Sequence, residues 1–430
     1  IKKYLNKEKK NILRWRRDLH QIAEIGFLEY ETTAYLIDRL KEFNLETFIG
    51  QEVMNPNDRL GLPSKEEIVD HEKKLSEKGF DWKMYKSLRG GMTGVIARCN
   101  TGNEGPHLAF RFDIDALPIH EITDQKHRPT KEQFRSQNDG WMHACGHDGH
   151  MTIWLAIAQY VSQNQHRLKG TFTFLFQPAE EGTRGARALV SNGWLQSVDE
   201  LYAAHIGMTD RLTTGEVAIC AEGFLAATKI DVTFTGTSSH AALTPEKGDN
   251  VMLAVANTIL NSYAISRHSE GTSRVNVGVV RAGEGRNIIP SNAQLEIEVR
   301  GENKNVSDYM MDKIKRIVKH SAAMANVQYT FEIVGFATAL KNSESLAQEI
   351  LHTIRPGTFL KSIYLKEQTS GSEDASLLID AVNQQGGRGI YSLIGSELAA
   401  PHHHPAFDFD EQSLFTGIEY FLQIIERKRG

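Results

Sequence analysis

The segment from His143 to His150 reads HACGHDGH and holds three histidines, one cysteine and one aspartate in eight residues. Imidazole, thiolate and carboxylate groups are the ligands that borderline divalent metals such as zinc select. Cys145 and His147 are one residue apart, so both side chains are predicted to face one ion from an extended loop. The alternative is that Cys145 is a small core residue and that the histidines only cap the apolar helix that follows. The density of ligand types favours a metal centre.

Three further segments add groups of the same kinds. FQPAEEG places Glu180 beside Glu181, and adjacent carboxylates on a loop point in different directions, so one can bind a metal while its neighbour takes a proton from water. AAHIGM adds His205, and PHHHPAFDFDE adds the histidines 402–404 near the C-terminus. Each segment alone has another interpretation: a solvated turn for the glutamates, a structural role for His205 and a polar turn for 402–404. Their joint occurrence favours one active site.

Apolar runs that alternate with helical patterns follow a mostly helical first stretch of the chain. Strands are predicted at 94–98, 107–112, 171–176 and 200–207, and an apolar helix at 151–161. This alternation predicts a layered α/β sheet, in which ligands bind beyond the carboxyl ends of the strands. Asp113 and Asp115 follow one of these strands, Glu180 and Glu181 follow another, and His205 ends a third. The polar stretch 51–89 interrupts the pattern, and a solvated surface helix is predicted in it at 65–77.

The pattern changes at about residue 224. From 224 to 336 the predicted order is strand, helix, strand, strand, helix, strand, which is the ferredoxin-like βαββαβ motif. A helix near 345–353, a strand near 390–394 and a final helix follow. We therefore predict an α/β protein with one discontinuous domain, 1–223 and 337–430, interrupted by a smaller domain at 224–336.

Composition excludes several classes of protein. With 430 residues, 40% of them hydrophobic and 24% charged, the chain has the balance of a soluble globular protein of about two domains. Its net charge of -5 and the absence of a long Lys/Arg run argue against a nucleic-acid partner. No stretch is apolar for long enough to span a membrane, and the charged start predicts no secretory signal. Three cysteines give no disulfide framework, which predicts a reducing compartment, by default the cytoplasm.

Eight motifs, in order and over nearly the whole chain, resemble those of the aminoacylase, carboxypeptidase G and hippurate hydrolase family of metallopeptidases. They are FRFDIDALP, MHACGHDGH, FQPAEEGTRGA, AAHIGM, SSHAALTP, GEGRNIIP, GSEDAS and HHHPAFDFDE. The resemblance implies a mixed-sheet catalytic domain with two divalent metal ions, interrupted by a dimerisation or lid domain. It leaves the metal open, because a cysteine ligand favours Zn2+ whereas the members of the family most similar in these motifs suggest Mn2+.

The resemblance also implies a role for each candidate residue. The implied metal ligands are Cys145 as the bridge, His147 and His205 at one ion, and Glu181 and His403 at the other. His403 is favoured over His404 because the family's His-x-Pro-x-Phe motif here begins at His403. Glu180 is then the general base. Asp113 and Asp148 are expected to orient ligating imidazoles, a role that carboxylates commonly fill around metals.

The inserted domain is implied to complete the site. In relatives, the residue corresponding to His240 reaches across a dimer and polarises the scissile carbonyl. Asn276 and Arg300 correspond to residues that hold the α-carboxylate of the substrate, and arginine suits that task because its guanidinium forms two parallel hydrogen bonds. Asn287 is a further candidate for substrate binding, with the alternative that it only shapes a turn between strands.

The implied substrate is a small anionic acyl-amino acid. Within the family the likeness points to hydrolysis of p-aminobenzoyl-glutamate to p-aminobenzoate and glutamate, with hippurate, N-acetyl amino acids or acidic dipeptides as alternatives. The implied partner is a related B subunit, a second copy of the chain in a homodimer through the lid domain, or both. Two other classes stay open: a non-catalytic scaffold, and a metal-storage or metal-sensing protein. The complete set of ligands argues against the first, and Glu180 with Arg300 argues against the second.

Overall fold

The computed structural model describes residues 1–427 of the chain. Its α-helices are α1 (Lys2–Gln21), α2 (Tyr30–Glu42), α3 (Lys65–Glu77), α4 (Arg128–Lys131), α5 (His147–Asn164), α6 (Ala186–Val190), α7 (Val251–Tyr263), α8 (Lys304–Met324), α9 (Glu344–Thr353), α10 (Ala375–Gln384) and α11 (Gln412–Glu426). Its strands are β1 (Glu46–Ile49), β2 (Val95–Asn100), β3 (His107–Asp113), β4 (Thr171–Gln177), β5 (Glu200–Ile206), β6 (Glu216–Phe224), β7 (Ala226–Thr235), β8 (Ser239–His240), β9 (Ser273–Ala282), β10 (Ile288–Ile289), β11 (Asn292–Gly301), β12 (Gln328–Ala337), β13 (Ser362–Gly371) and β14 (Arg388–Ile394).

The larger sheet has eight strands in the order β1-β2-β4-β3-β5-β14-β6-β13. Its centre is parallel, because β3 pairs in parallel with β4 and β5, and β5 in parallel with β14. The pairs β1–β2, β2–β4 and β14–β6 are antiparallel, so the sheet is mixed as predicted. The carboxyl ends of β3, β4 and β5 therefore meet at one edge of the sheet.

The central strands are buried along nearly their whole length because helices cover both faces of this sheet. Every residue of β5 is buried, as are all but the first residues of β3 and β4. One core joins the sheet to α1, α2, α5, α9 and α11, and a second core joins its other face to α6 and α10. Helix α5 is apolar nearly all round because it lies between the sheet and the helices α1 and α11.

The smaller sheet has four antiparallel strands in the order β12-β7-β11-β9. With α7 and α8 its elements follow the predicted βαββαβ order, apart from the two-residue strands β8 and β10, which pair with each other. Side chains of β9 and β11 alternate between a buried face, where α7 and α8 pack, and an exposed face. The division of the chain into domains at 224 and 336 stays a prediction.

Three strands of the larger sheet were not predicted. They are β1, β6 and β13. The helix predicted at 65–77 is α3, which begins with a capping box at Ser64 and is largely exposed. It is not wholly solvated, because His71 is buried and its Nε2 lies 3.1 Å from Glu24 Oε1. Within residues 1–427, no helix combines the length and the apolar character needed to cross a membrane.

Candidate metal centre

The start of α5 directs Cys145 and His147 toward one point. Gly146 caps the helix with φ of 87°, a left-handed conformation that favours glycine, and His147 is the first helical residue. The prediction of an extended loop is therefore wrong: a turn and a helix start bring the two side chains together. The Nδ1–H of His147 donates to the carbonyl oxygen of Asp115 at 2.8 Å, which leaves Nε2 as the nitrogen with a free lone pair.

Cys145, His147 and His205 form a group of candidate ligands in which all three residues are buried. Their ligand atoms all lie within 4.8 Å of one another, and Cys145 Sγ is 3.4 Å from His205 Nε2. The Nδ1–H of His205 donates to the carbonyl oxygen of Ile206 at 2.8 Å, so its Nε2 also has a free lone pair. Burial lowers the pKa of His205 well below its usual value, which keeps the imidazole neutral as metal binding requires.

A second group, Cys145, Glu181 and His403, shares the cysteine with the first. His403 Nε2 lies 3.4 Å from Glu181 Oε1, and its side chain is half exposed at the rim of the site. The backbone N–H of His403 donates to the carbonyl oxygen of Ala144, which ties the C-terminal loop to the segment that carries Cys145. His404 instead accepts the N–H of Ala406 with its Nδ1.

Asp115 holds the loop of the two glutamates and was not among the predicted site residues. Its Oδ1 accepts the backbone N–H of Glu180 at 3.0 Å, and its Oδ2 accepts that of Glu181 at 2.9 Å. Its own carbonyl oxygen accepts the Nδ1–H of His147. The second aspartate of FDIDALP was the available signal, since it too follows strand β3. One buried residue thus positions the predicted base and two predicted ligands.

Glu180 lies between the candidate ligands and a cluster of buried charges. Its Oε2 is 3.9 Å from His147 Nε2, and on its other side Glu373 and Asp374 have carboxylate oxygens within 4.8 Å of its own. Burial and then the negative charge of Glu373 raise the pKa of Glu180 well above its usual value. A carboxylate of raised pKa is a better base, so this environment suits proton transfer.

Arg111 compensates the acidic groups behind Glu180. Its guanidinium contacts Asp374 at 2.7 Å, Glu373 at 3.0 Å and Asp113 at 3.3 Å, and it is fully buried. Glu373 and Asp374 belong to the motif GSEDAS, which carried part of the resemblance but no predicted role. A buried charge is tolerated only when it is paired, so Arg111 permits this density of carboxylates beside the site.

The two aspartates predicted to orient ligands have different partners. Asp113 Oδ1 accepts the Nδ1–H of His150 at 2.6 Å and lies 3.8 Å from His147 Nε2. Asp148 points away from the candidate ligands, with Oδ2 2.9 Å from Arg16 Nε and 2.8 Å from His20 Nδ1. The structure therefore gives Asp148 other partners than the ligating imidazole that we predicted. It fastens α5 to α1.

The residues predicted to bind substrate lie on the smaller sheet or beside it. Among residues 1–427, no hydrogen bond or ion pair links any of them to the candidate ligands. His240 is exposed, and its Nδ1 accepts two backbone N–H groups at 3.2 Å, which leaves Nε2–H as a donor. Asn276 accepts the hydroxyl of Tyr263 at 3.3 Å, and the carbonyl oxygen of Asn287 accepts the N–H of Ala241. Arg300 pairs with Glu298 at 2.7 Å.

The residues at the centre fit two divalent ions. His147 Nε2 and Glu181 Oε1 are buried, and within residues 1–427 neither forms a hydrogen bond. Buried polar atoms normally form hydrogen bonds, so two such atoms without one, beside a thiol and two more imidazoles, fit a metal that accepts their lone pairs. Two overlapping groups that share Cys145 provide ligands for two ions rather than one.

Two curated relatives match the chain over nearly its full length. The indole-3-acetyl-aspartic acid hydrolase of Enterobacter agglomerans is 38% identical over 97% of this chain and 96% of its own. The A subunit of the p-aminobenzoyl-glutamate hydrolase of Escherichia coli (strain K12) is 39% identical over 97% of this chain and 96% of its own. Both are named for hydrolysis of an acyl group linked to an acidic amino acid.

Two solved structures share the fold. The aminobenzoyl-glutamate utilization protein of Klebsiella pneumoniae superimposes with a TM-score of 0.82 at 33% identity, covering 99% of this chain and 97% of its own. The YxeP protein of Bacillus subtilis, described as a dinuclear metal-binding peptidase of the M20 family, superimposes with a TM-score of 0.64 at 26% identity and covers 97% of each chain.

Residues 109–427 match the family described as "Peptidase family M20/M25/M40". This match covers more than half of the chain and includes the candidate ligands from Cys145 to His403. It agrees with the metal-dependent hydrolase that the motifs predicted. The chain belongs to peptidase family M20/M25/M40.

Proposed function

We propose that this chain hydrolyses the amide bond between an aromatic acyl group and an acidic amino acid, with p-aminobenzoyl-glutamate as substrate and p-aminobenzoate and glutamate as products. The observation that carries the proposal is the position of Glu180, 3.9 Å from the free nitrogen of His147, beside two groups of metal ligands that share Cys145. The names of the two relatives support an acidic amino acid as leaving group.

Five residues would hold the ions. They are Cys145 as the bridge, His147 and His205 at one ion, and Glu181 and His403 at the other. When bound, two divalent ions lower the pKa of water and polarise a carbonyl oxygen. Cys145 supports Zn2+, whereas the similarity to the p-aminobenzoyl-glutamate enzyme supports Mn2+.

Glu180 moves the proton. Its carboxylate accepts a proton from the attacking water, and the oxygen of that water forms a bond to the amide carbon. Glu180 then donates the proton to the amide nitrogen as the C–N bond breaks, so that the amino acid leaves with a neutral amine. The buried position of Glu180 and the acidic groups around it support this cycle, because both raise its pKa.

His240 would act on the carbonyl oxygen from the neighbouring chain of a dimer. Its Nε2–H is free to donate, since Nδ1 already accepts two backbone N–H groups. Its exposure and its lack of contact with the candidate ligands of its own chain support action in a second chain. A hydrogen bond of this kind stabilises the negative charge that develops on the oxygen.

A dimer would form through the inserted unit. Large apolar side chains are exposed along α7 and the edge strand β9: Met252, Leu253, Leu260, Tyr263 and Val280. Exposed apolar side chains in such number support a protein interface in this region. The partner would be a second copy of this chain or a related B subunit, because the relative from E. coli is itself named as one subunit of its hydrolase.

Asn276 and Arg300 would bind the α-carboxylate of the amino acid, and Asn287 is a further candidate for substrate binding. The free, buried cysteines support a reducing compartment, by default the cytoplasm. Hippurate and N-acetyl amino acids remain the alternative substrates, and a scaffold without activity is the alternative from another class. The scaffold alternative is disfavoured because Glu180 and every predicted ligand are present and lie close together.

The test combines metal replacement with a substrate panel. The protein is stripped with a chelator, reloaded with Mn2+ or Zn2+, and assayed on p-aminobenzoyl-glutamate, indole-3-acetyl-aspartate, hippurate and N-acetyl-alanine, with and without the related B subunit. We expect no activity after chelation and recovery with the metal, highest on the two acidic conjugates. If activity is highest on hippurate or N-acetyl-alanine, that compound replaces p-aminobenzoyl-glutamate as the proposed substrate. If no sample is active, the alternative of a scaffold without activity is favoured.

A further inference from the structure

Two arginines lie directly opposite each other on adjacent strands of the smaller sheet. In the register of β9 and β11, Arg274 is the partner of Arg300, and Asn276 is the partner of Glu298. All four belong to the face of the sheet that α7 and α8 leave open, since the residues between them point to the buried face. Like charges directly opposite each other destabilise a sheet, so an anion bound between the two arginines would stabilise it.

Only one of these arginines is compensated. Nε and Nη2 of Arg300 donate to the two carboxylate oxygens of Glu298 at 2.7 and 3.2 Å. Within residues 1–427, Arg274 forms no ion pair, and its Nη1 donates to the carbonyl oxygen of Ser273. Arg274 is also exposed. Its guanidinium therefore keeps most of its five donors and its full charge for a ligand.

The two arginines line one pocket of about 450 Å³. Its other walls are Asn276, Glu298 and the chain segments where β6 and β13 end, with Gly371 among them. Gly371 is two residues from Glu373, a separation of at most about 7 Å along an extended chain. Glu373 has a carboxylate oxygen within 4.8 Å of one of Glu180. The pocket thus borders the chain segment that leads to Glu373, which lies next to the proposed catalytic base.

We propose that Arg274 forms a subsite for the side-chain carboxylate of the substrate's acidic amino acid. The inference rests on the proposed function and names the residue that selects glutamate or aspartate over neutral amino acids. Arg300 and Asn276 take the α-carboxylate, and Arg274 takes the second carboxylate across the strand. Glu298 is paired to Arg300 and not to Arg274, so the guanidinium of Arg274 is the charge in this pocket that compensates the side-chain carboxylate.

The experiment compares two substrates that differ in one charge. Wild type, Arg274→Gln, Arg274→Lys and the control Arg316→Gln are loaded with Mn2+ and assayed on p-aminobenzoyl-glutamate and p-aminobenzoyl-glutamine, which share the α-carboxylate. Arg316 is exposed on α8, on the far side of the sheet from the pocket. Binding of free glutamate and glutamine is measured by calorimetry on the same four proteins, so that one measurement does not depend on turnover.

The Gln variant should lose about 10- to 100-fold in kcat/KM on the glutamate conjugate, the effect of one charge-assisted hydrogen-bonded pair. The ratio of kcat/KM values between the two substrates should fall by the same factor. Arg274→Lys should keep part of the preference because it keeps the charge without the fork, and Arg316→Gln should keep all of it.

Two results separate the failure of this inference from that of the proposed function. If the wild type hydrolyses the glutamate conjugate and Arg274→Gln leaves the ratio unchanged, or lowers both activities equally, the subsite is wrong and the function stands. If the wild type hydrolyses neither conjugate, with or without the related B subunit, the proposed function is wrong. The subsite is then tested by calorimetry alone. It is retained only if the wild type binds glutamate about 10-fold more tightly than glutamine and if Arg274→Gln removes that difference.

Discussion

The larger and the smaller sheet supply different parts of the proposed site in different ways. At the carboxyl ends of β3, β4 and β5, the candidate ligands and Glu180 are mostly buried, and backbone groups or Asp115 hold them in place. On the smaller sheet and beside it, Arg274 and His240 are exposed and contact none of those groups in residues 1–427. The candidate ligands and Glu180 lie together within one chain, whereas His240 and Arg274 would act only with a bound ligand or a second chain.

This difference indicates that the buried and the exposed region have different functions. Under the proposed function, the buried region would bind metals and move a proton with side chains that already lie close together. The exposed region would bind the substrate and act on the carbonyl only when it meets the other parts of the site. Variants in the first region should therefore impair metal content or the chemical step, and variants in the second should impair substrate selection or depend on the oligomer.

The largest effect is expected for the adjacent glutamates. Glu180→Gln should lower kcat by about 100- to 10,000-fold, the range of general acid–base catalysis, with metal content unchanged. Glu181→Gln, one residue away, should instead lower the amount of bound metal, because it removes a predicted ligand. Enzyme assays and elemental analysis of the two proteins check this contrast. Loss of metal from Glu180→Gln, or a kcat within threefold of wild type, would break the distinction between base and ligand.

The next largest effect should separate two buried cysteines. Cys145→Ala removes the predicted bridge and should lower both metal content and activity, the latter by about 100-fold or more, since even outer residues of metal sites can cost 10- to 100-fold. Cys99 is buried on β2, away from the candidate ligands. Cys99→Ala should retain metal and activity. Equal metal content in the two variants would contradict the bridging role.

A smaller effect is expected at His240, and it tests whether the exposed region acts in another chain. His240→Ala should lower kcat by about 100- to 1,000-fold, as the loss of one oxyanion donor does, and should keep its metal. When His240→Ala and Glu180→Gln chains are co-expressed, a mixed dimer contains one complete site if His240 acts across the interface. Activity should then exceed that of either variant alone. No recovery in purified mixed dimers would place His240 in its own chain's site.

The smallest effect concerns the stability of the buried region. Burial alone would lower the pKa of His20, but hydrogen bonds to Asp148 and Glu121 raise it to about 9. The protonated form of His20 therefore stabilises the folded state. This contribution of at most about 3 kcal/mol is fully present below pH 6.5, the usual pKa of histidine, and is lost as the pH rises through 9.

Urea unfolding of wild type and His20→Asn at pH 6 and pH 9.5 measures this contribution. The free energy of unfolding should differ more between the two proteins at pH 6 than at pH 9.5. Exposed His166 provides the control, and His166→Asn should match the wild type at both pH values. An equal difference at the two pH values for His20→Asn would show that its charge does not stabilise the fold.

Periodicity and motif order predicted the mixed α/β fold and the βαββαβ order, because apolar runs mark buried strands whatever their neighbours. Strand β13 was missed because it lies at the edge of the sheet, where many of its side chains are exposed and polar. The turn at Gly146 was mistaken for an extended loop, since its φ of 87° depends on the helix that begins next to it.

Among the site residues, spacing indicated residue types only, whereas the resemblance also implied the two groups that share Cys145 and whose ligand atoms lie within 4.8 Å of one another. Cys145 and His205 are 60 residues apart in sequence, yet their Sγ and Nε2 atoms lie 3.4 Å apart. Asp148 was expected to face a ligand, but the helix directs it to Arg16 on α1. Arg274 could not be singled out, because its significance depends on the strand register that pairs it with Arg300. Which residues meet is decided by tertiary packing.

Asp115 makes the site sensitive to the exchange of a single atom. Both of its carboxylate oxygens accept N–H groups, from Glu180 and from Glu181. Asparagine has the same shape, but its amide nitrogen would turn a donor toward one of these N–H groups, so one hydrogen bond would become a repulsion. The loop would then have to release one glutamate from its position. The change Asp115→Asn, which keeps the shape of the side chain, would therefore displace either Glu180, the proposed base, or Glu181, a proposed ligand.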